Sequence, residues 1–352
     1  MTKRSNVLIV GAGAGGMVTG YHFALSGADV TFFVRANRVS EMARKPKRLY
    51  CYDDHETKIF DQYQTVCSTD EVAAQRFDYV LTTLDGFAMH SDEGMELLRN
   101  LGNAIRPSEA VLVCLGVAHG IEDFIAHHTS IPSERCLFGS FSFLSHNIPL
   151  PDQRFHPDID QEALSNCVFA YVHLGQSNAG LTLTRTNRKL GQELAKAFDR
   201  SGVSTFSVVP NLSVMDFLSC FPFPGLIAFV IEGWPEPEVM YKTENWELAS
   251  KATLEILALP QYGYLGKLLA VLGGPLKFLT RVWRGTSKAA LPLDYHAFNK
   301  FHHGGKVLAQ DMEIVRDILH REEGRGRELP NLGRLLKRLD ESEVQPTDHM
   351  AP

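Results

Sequence analysis

The stretch VLIVGAGAGGMVTGYHFALSGADVTFFVRANR, residues 7–38, reads as a strand, a helix and a second strand. Val7-Leu8-Ile9-Val10 is an unbroken apolar run, the pattern of a strand buried on both faces. Gly11, Gly13 and Gly16 follow at G-x-G-x-x-G spacing. Met17, Tyr21, Ala24 and Leu25 then recur at helical spacing until Gly27 stops the helix. Val30 to Val34 supplies the partner strand. A glycine-rich turn between a strand and a helix is the dinucleotide fingerprint. Gly11 permits the tight turn, Gly13 lets backbone approach a pyrophosphate, and Gly16 lets helix and strand pack closely. The free N–H groups and positive dipole end of the helix then face the phosphates. The loop Gly11, Ala12, Gly13, Ala14, Gly15 and Gly16 is thus the expected cofactor cradle.

The residue that ends the second strand selects the cofactor, an acid for the ribose hydroxyl of NAD or an arginine for the 2′-phosphate of NADP. Here Arg35 stands there, with Arg38 three residues on and no acid between. A guanidinium can fork onto phosphate oxygens with two charge-assisted bonds. The reading is NADP(H), the alternative being two solvated surface arginines.

A chain of 352 residues suits two domains. With 44% hydrophobic and 22% charged residues it can bury a sizeable core and is not disordered. A formal charge of -6 supplies no basic field, which argues against a nucleic-acid partner. The six cysteines are scattered without a C-x-x-C pair. That distribution suits reduced thiols in a cytoplasmic protein better than a disulfide framework or a metal site. No signal peptide fits before the first strand and no apolar run is long enough to span a membrane.

Further strands are expected at Leu49–Tyr52 and Thr57–Phe60 as a hairpin, then at Phe77–Leu84, Ala110–Leu115, Cys136–Ser145, Cys167–Leu174, Leu181–Thr184 and Val203–Val209. The ends of two of them, Leu84-Asp85 and Gly116, open at the ligand edge of an open α/β sheet and join the expected cofactor site. Arg188 to Ser201 reads as an amphipathic helix. After Pro210–Ser213 the strand signal ends and helical periodicity dominates. The expected division is a doubly wound Rossmann-type α/β domain, residues 1–210, an all-helical domain, 211–340, and a loose tail, 341–352. Tyr264 to Trp283 is mostly apolar and reads as core helices, or else as the wall of an apolar pocket or the face of a homodimer.

With this order in view, the chain resembles the ketopantoate reductase (2-dehydropantoate 2-reductase) family. The resemblance rests on residues 7–38, on VLTTLD and VLVCLG at the next strand ends, on GLTLTRTN, and on GVSTFSVVP before a helical C-terminal half. It implies a cofactor between the two domains, and a lysine and a glutamate of the helical domain acting on a 2-oxo acid. This chain departs from that pattern. Asp85 replaces the family's usual lysine, Gly116 or Val117 its asparagine, and Met215 or Asp216 its catalytic lysine. Asn299 or Lys300 falls where its glutamate is expected. The cofactor half is kept and the active site is not, so a carbonyl or imine substrate other than ketopantoate is expected. A non-catalytic NADP(H)-binding sensor or interaction protein fits the same departures.

Carbonyl reduction needs a proton donor near the developing alkoxide, often with a cation to stabilise it. The densest polar group in the second half is Asn299-Lys300-Phe301-His302-His303-Gly304-Gly305-Lys306, with Asp311 further on. On a continuous helix Asn299, His302, His303 and Lys306 would share one side. His303 is the expected proton donor and Lys306 the expected anchor for a carboxylate or oxyanion. The alternative is surface decoration of an amphipathic helix.

Overall fold

The structure, a computed structural model, describes residues 4–116, 120–175, 178–184, 187–209, 222–274 and 277–342, with backbone alone at 208 and 209. Residues 210–221 hold the expected boundary and the positions Met215 and Asp216. These, Val117 and most of the expected tail lie outside the described residues. The chain forms two compact units, residues 1–149 with 155–212, and residues 150–154 with 213–352.

Among the described residues the first unit holds twelve strands in two sheets, β1 (Asn6–Val10), β2 (Asp29–Phe33), β3 (Lys47–Cys51), β4 (Glu56–Phe60), β5 (Gln64–Val66), β6 (Tyr79–Thr82), β7 (Val111–Cys114), β8 (Cys136–Phe141), β9 (Phe143–Asn147), β10 (Phe169–His173), β11 (Ala179–Thr184) and β12 (Thr205–Val209). Eight of them pair in the order β12-β11-β8-β7-β6-β1-β2-β5. Every pair in this sheet is parallel except β11 with β8. Within β1, Val7 and Ile9 face one apolar layer while Leu8 and Val10 face the other. Both faces are covered, which is why the sequence shows a continuous apolar run rather than alternation.

The expected hairpin forms, β3 pairing antiparallel with β4. It does not join the main sheet. It belongs to a second sheet, β4-β3-β10-β9, whose β10 runs parallel to β3 and antiparallel to β9. Helix α1 (Ala14–Leu25) packs into one apolar layer with residues of both sheets, among them Ile9 and Phe32 on one side and Leu49 and Tyr171 on the other. Gly16 through Phe23 are consequently all buried. A helix covered on both sides needs no polar stripe, so its four helix-spaced apolar residues understate its burial.

The second unit is helical. Phe223–Ile231 lies at its centre, buried from Phe223 through Val230. Phe229 contacts Trp234 and Trp283, with ring centroids 5.1 and 5.0 Å apart. Around it run Glu244–Leu257, Gly263–Gly273, Phe278–Ala289, Tyr295–Phe301, Leu308–Gly324 and Pro330–Glu341. The sequence pattern from Asp294 to Leu319 is that of a long helix open to a break at Gly304-Gly305, and the structure interrupts it around that pair. The α-helix stops at Phe301, a π turn spans His302–Lys306, and Val307 leaves helical geometry at φ -118°, ψ 13°. Gly304 sits against the Trp234 indole, where an added Cβ would stand 2.6 Å from Nε1. No single helix among the described residues is long and apolar enough to cross a membrane.

Candidate functional site

Gly11 has φ +107°, and a Cβ there would stand 2.7 Å from Thr83 Oγ1. Glycine is required on both grounds. Gly16 would press a Cβ to 2.3 Å from the Gly11 carbonyl oxygen. The helix is therefore seated directly on the turn. Thr83, absent from the sequence-based candidates, holds this arrangement, its hydroxyl donating to Val10 O at 3.0 Å and Gly11 O at 3.3 Å. Phe141, also missed, lays its ring 3.0 Å from the position a Gly15 Cβ would take. Neither contact leaves a periodic signal, because both cross between strands distant in sequence.

Gly13 differs from its neighbours. It caps α1, no side chain caps the helix in its place, and nothing lies within 4 Å of the Cβ it lacks. The packing does not require glycine there, so open space beside an uncapped helix N-terminus is the cradle that an added side chain would fill. Ala12 and Ala14 are buried.

Arg35 follows β2 as the extended residue that opens the 3-10 turn Ala36–Arg38 and is exposed, with no carboxylate between it and Arg38. Arg38 is already paired. Its guanidinium makes a bidentate pair with Glu41, both contacts at 2.9 Å, and this pair holds the Glu41 carboxyl below the usual range. The acid lies three residues beyond Arg38, on the following helical turn.

Asp85 acts as a helix cap, accepting from Ala88 N–H at 2.7 Å at the start of Gly86–His90. That accounts for an acid at this strand end without a ligand. Leu84 reaches toward the turn, its Cδ2 3.7 Å from the missing Gly11 Cβ. Gly116 packs on Met89, whose Cε would stand 2.3 Å from an added Cβ.

In the second unit His303 Nδ1 meets Asp311 Oδ2 at 2.7 Å, the imidazole half-buried and the carboxylate buried. Eight residues of regular helix would hold these groups about 12 Å apart along the axis. The π turn and the break at Val307 bring them together, so the spacing gave no sign of the pair. A carboxylate on Nδ1 fixes the ring orientation and leaves Nε2 as the working nitrogen. The shared face expected for Asn299, His302, His303 and Lys306 is not formed. Asn299 is buried and donates from Nδ2 to its own helix at Tyr295 O, 2.6 Å. Lys306 is exposed on the π turn, and Lys300 pairs with Asp152 at 2.6 Å. Among the described residues no three His, Cys, Asp or Glu side chains gather as a metal site.

A second His–Asp pair lies in the first unit. His173 Nδ1 meets Asp53 Oδ2 at 2.7 Å, and His173 Nε2 meets Ser204 Oγ at 3.2 Å. The order matches a hydrolytic triad, but Ser204 is wholly buried and its hydroxyl presses on Gly180. An acyl group has no room to reach it, so the arrangement is structural.

Residues 7–148 match the family model described as ketopantoate reductase PanE/ApbA. This match covers less than half of the chain. Similar folds extend over nearly the whole chain. The 2-dehydropantoate 2-reductase from Geobacter metallireducens GS-15 is 19% identical with a TM-score of 0.66, covering 96% of this chain and 99% of that one. The enzyme from Methylococcus capsulatus is 17% identical, TM-score 0.65, covering 97% and 98%. D-mandelate dehydrogenase with NADH and anilino(oxo)acetate is 12% identical, TM-score 0.66, covering 96% and 98%. No curated protein matches the chain. The ketopantoate reductase fold accounts for the Rossmann-type sheet and for the helical unit that follows it. At these identities the solved structures speak for fold alone.

Proposed function

We propose that this protein is an NADP(H)-dependent oxidoreductase that reduces a carbonyl or imine substrate other than ketopantoate. The observation that carries the reading is the open cradle at Gly13, beside an uncapped helix N-terminus within the residues that match the ketopantoate reductase model. The described residues fit a dinucleotide. Gly11 to Gly16 would take the pyrophosphate on backbone N–H groups, and Arg35 would take the 2′-phosphate. Leu84, Asp85 and Gly116 stand at the neighbouring strand ends. Bound there, the nicotinamide supplies a hydride.

The chain's own part is the proton. His303, oriented by Asp311, would donate from Nε2 to the developing alkoxide, and Lys306 would hold a carboxylate or the oxyanion. Asp85, spent on a cap, and the absence of lysine at positions 215 and 216 support a substrate other than ketopantoate. The reading is tested by following NADPH absorbance with a panel of 2-oxo acids, ketones and imines. Tight NADPH binding with no turnover of any of them would favour a sensor instead.

NADPH is expected to bind more tightly than NADH, and Arg35→Ala should remove the difference. One charge-assisted pair at an exposed site contributes about 1.5–3 kcal/mol, or one to two decades in affinity. The D-mandelate dehydrogenase structure holds NADH, which makes the comparison of both dissociation constants decisive. Equal affinities in the wild type would end the NADP assignment. Gly13→Val should fold normally, since the added atoms enter open space, yet weaken NADPH binding by at least about thirtyfold. Unchanged binding would make the loop purely structural.

A further inference from the structure

Helix Gly263–Gly273 is amphipathic in the reverse sense. Its buried residues are Gly266 and Gly273. A Cβ at Gly266 would stand 2.4 Å from Leu257 O, and one at Gly273 would stand 2.6 Å from Leu254 Cδ2. The helix therefore lays its bare side against Glu244–Leu257. Its large apolar residues face away, with Tyr264 81%, Val271 73%, Leu265 66%, Leu272 48% and Leu268 39% exposed. At about 100° per residue these five share a stripe roughly 120° wide. Scattered exposed apolar residues are ordinary, but a continuous stripe on one helix marks a surface that is covered in use. The expectation that Tyr264 to Trp283 forms core helices therefore holds for Leu279 and Trp283 and fails for this helix.

Charge identifies the cover. From Ile256 to Leu293 the chain carries Lys267, Lys277, Arg281, Arg284 and Lys288 and no Asp or Glu, in a protein of net charge -6. Arg284 pairs with Glu238 at 2.6 Å, while Lys267, Lys277, Arg281 and Lys288 are exposed. An apolar stripe beside a purely basic segment complements an anionic lipid surface. A second copy related by a two-fold axis would instead bring the same cations together.

The helix does not span. Together with Glu244–Leu257 it is long and apolar enough, but the two are bent by 67°. The first of the pair is committed to the core through Trp246, Ala249, Ala252, Ile256 and Leu257. The free helix is about 16 Å long, half a bilayer's hydrocarbon thickness. We propose that Gly263–Gly273 docks this protein on an anionic bilayer, lying in the interfacial plane with its apolar stripe inserted and the neighbouring lysines and arginines on lipid phosphates.

The test is co-sedimentation of the full chain with vesicles of equimolar phosphatidylglycerol and phosphatidylcholine, against pure phosphatidylcholine. Binding is expected to be at least about tenfold stronger on the anionic vesicles. Leu265→Asp combined with Val271→Asp, both at exposed positions, should lower it by at least about thirtyfold with an unchanged circular dichroism spectrum. Tyr264→Trp should gain a vesicle-dependent blue shift over the wild type. Three results would overturn the proposal. They are no wild-type binding to anionic vesicles, equal binding by the double variant, or a wild-type dimer in sedimentation that the double variant dissociates, which would make a second copy the cover.

Discussion

His303→Ala is expected to lower turnover by about 10²–10⁴-fold, the usual loss for a general acid, while NADPH affinity stays unchanged. The ring is held by Asp311 at 2.7 Å, and that carboxylate is buried, so the imidazole keeps one orientation without substrate. Such preorganisation is what an acid catalyst requires and what a decorative surface histidine lacks. Asp311→Asn tests the pair from its other end. It keeps the side chain's size but can present an N–H to the ring, favouring the wrong tautomer, and should cost on the order of tenfold or more in kcat. Lys306→Ala should act chiefly on KM if the lysine holds a substrate carboxylate, and on kcat if it faces the oxyanion. Full turnover in His303→Ala would falsify the assignment and move the search to Asp216.

The first βαβ unit was legible because each of its signals is local. An apolar run, three glycines at fixed spacing and a stop at Gly27 need no knowledge of the rest of the chain. Gly13 is glycine without a packing reason, since its surroundings leave room for a larger residue. Sheet membership is different in kind. Nothing in Leu49 to Phe60 says that its hairpin joins β9 and β10, because that choice depends on α1 being covered from both sides. The same nonlocality hid Thr83 and Phe141. Asp85 has a local role that no pattern announced, an acid at a strand end that accepts from Ala88 N–H. In the helical half, periodicity alone placed His303 on a face with Asn299 and Lys306. The π turn at His302–Lys306 changes the winding and gives His303 a partner eight residues away, while Asn299, on the α-helix before it, is buried and bonds to Tyr295 O. A glycine pair at Gly304-Gly305 was the visible trace of that break. The inverted helix at Gly263–Gly273 was legible in composition but not in direction, since an apolar segment does not state which side is out.

Acid should unfold this protein unusually early, and His22 is a principal cause. It lies wholly buried on α1, with ring centroids of Phe143, Tyr171, His173 and Phe198 between 5.3 and 6.3 Å away. Neither of its ring nitrogens has a hydrogen-bond partner among the described residues. Burial, with the neighbouring His173, pushes its pKa down to about 3. His146 is likewise buried and pushed down to about 4, its Nδ1 meeting Asn147 O at 2.9 Å and its Nε2 meeting the Tyr52 hydroxyl at 3.1 Å. Both folded values lie below the unfolded value of about 6.5, so the unfolded chain binds more protons in between. Stability is therefore full above pH 6.5 and lost as pH falls, down to about 4 for His146 and about 3 for His22. At about pH 4.5 each histidine costs about 2–3 kcal/mol, and together they remove roughly 5 kcal/mol, comparable to the whole stability of many domains. His22→Phe isolates one of the two. Its apolar ring suits the aromatic wall, so at pH 7.5 it should stabilise by about 1 kcal/mol, the relief of an unpaired buried polar group. At pH 4.5 the gain should grow by a further 3 kcal/mol or so, since the variant has nothing to protonate there. Urea unfolding midpoints of both proteins at the two pH values make the check. A difference that stays the same at both would mean that His22 is hydrated or partnered in solution, and the acid sensitivity would then belong to His146 and the carboxylates.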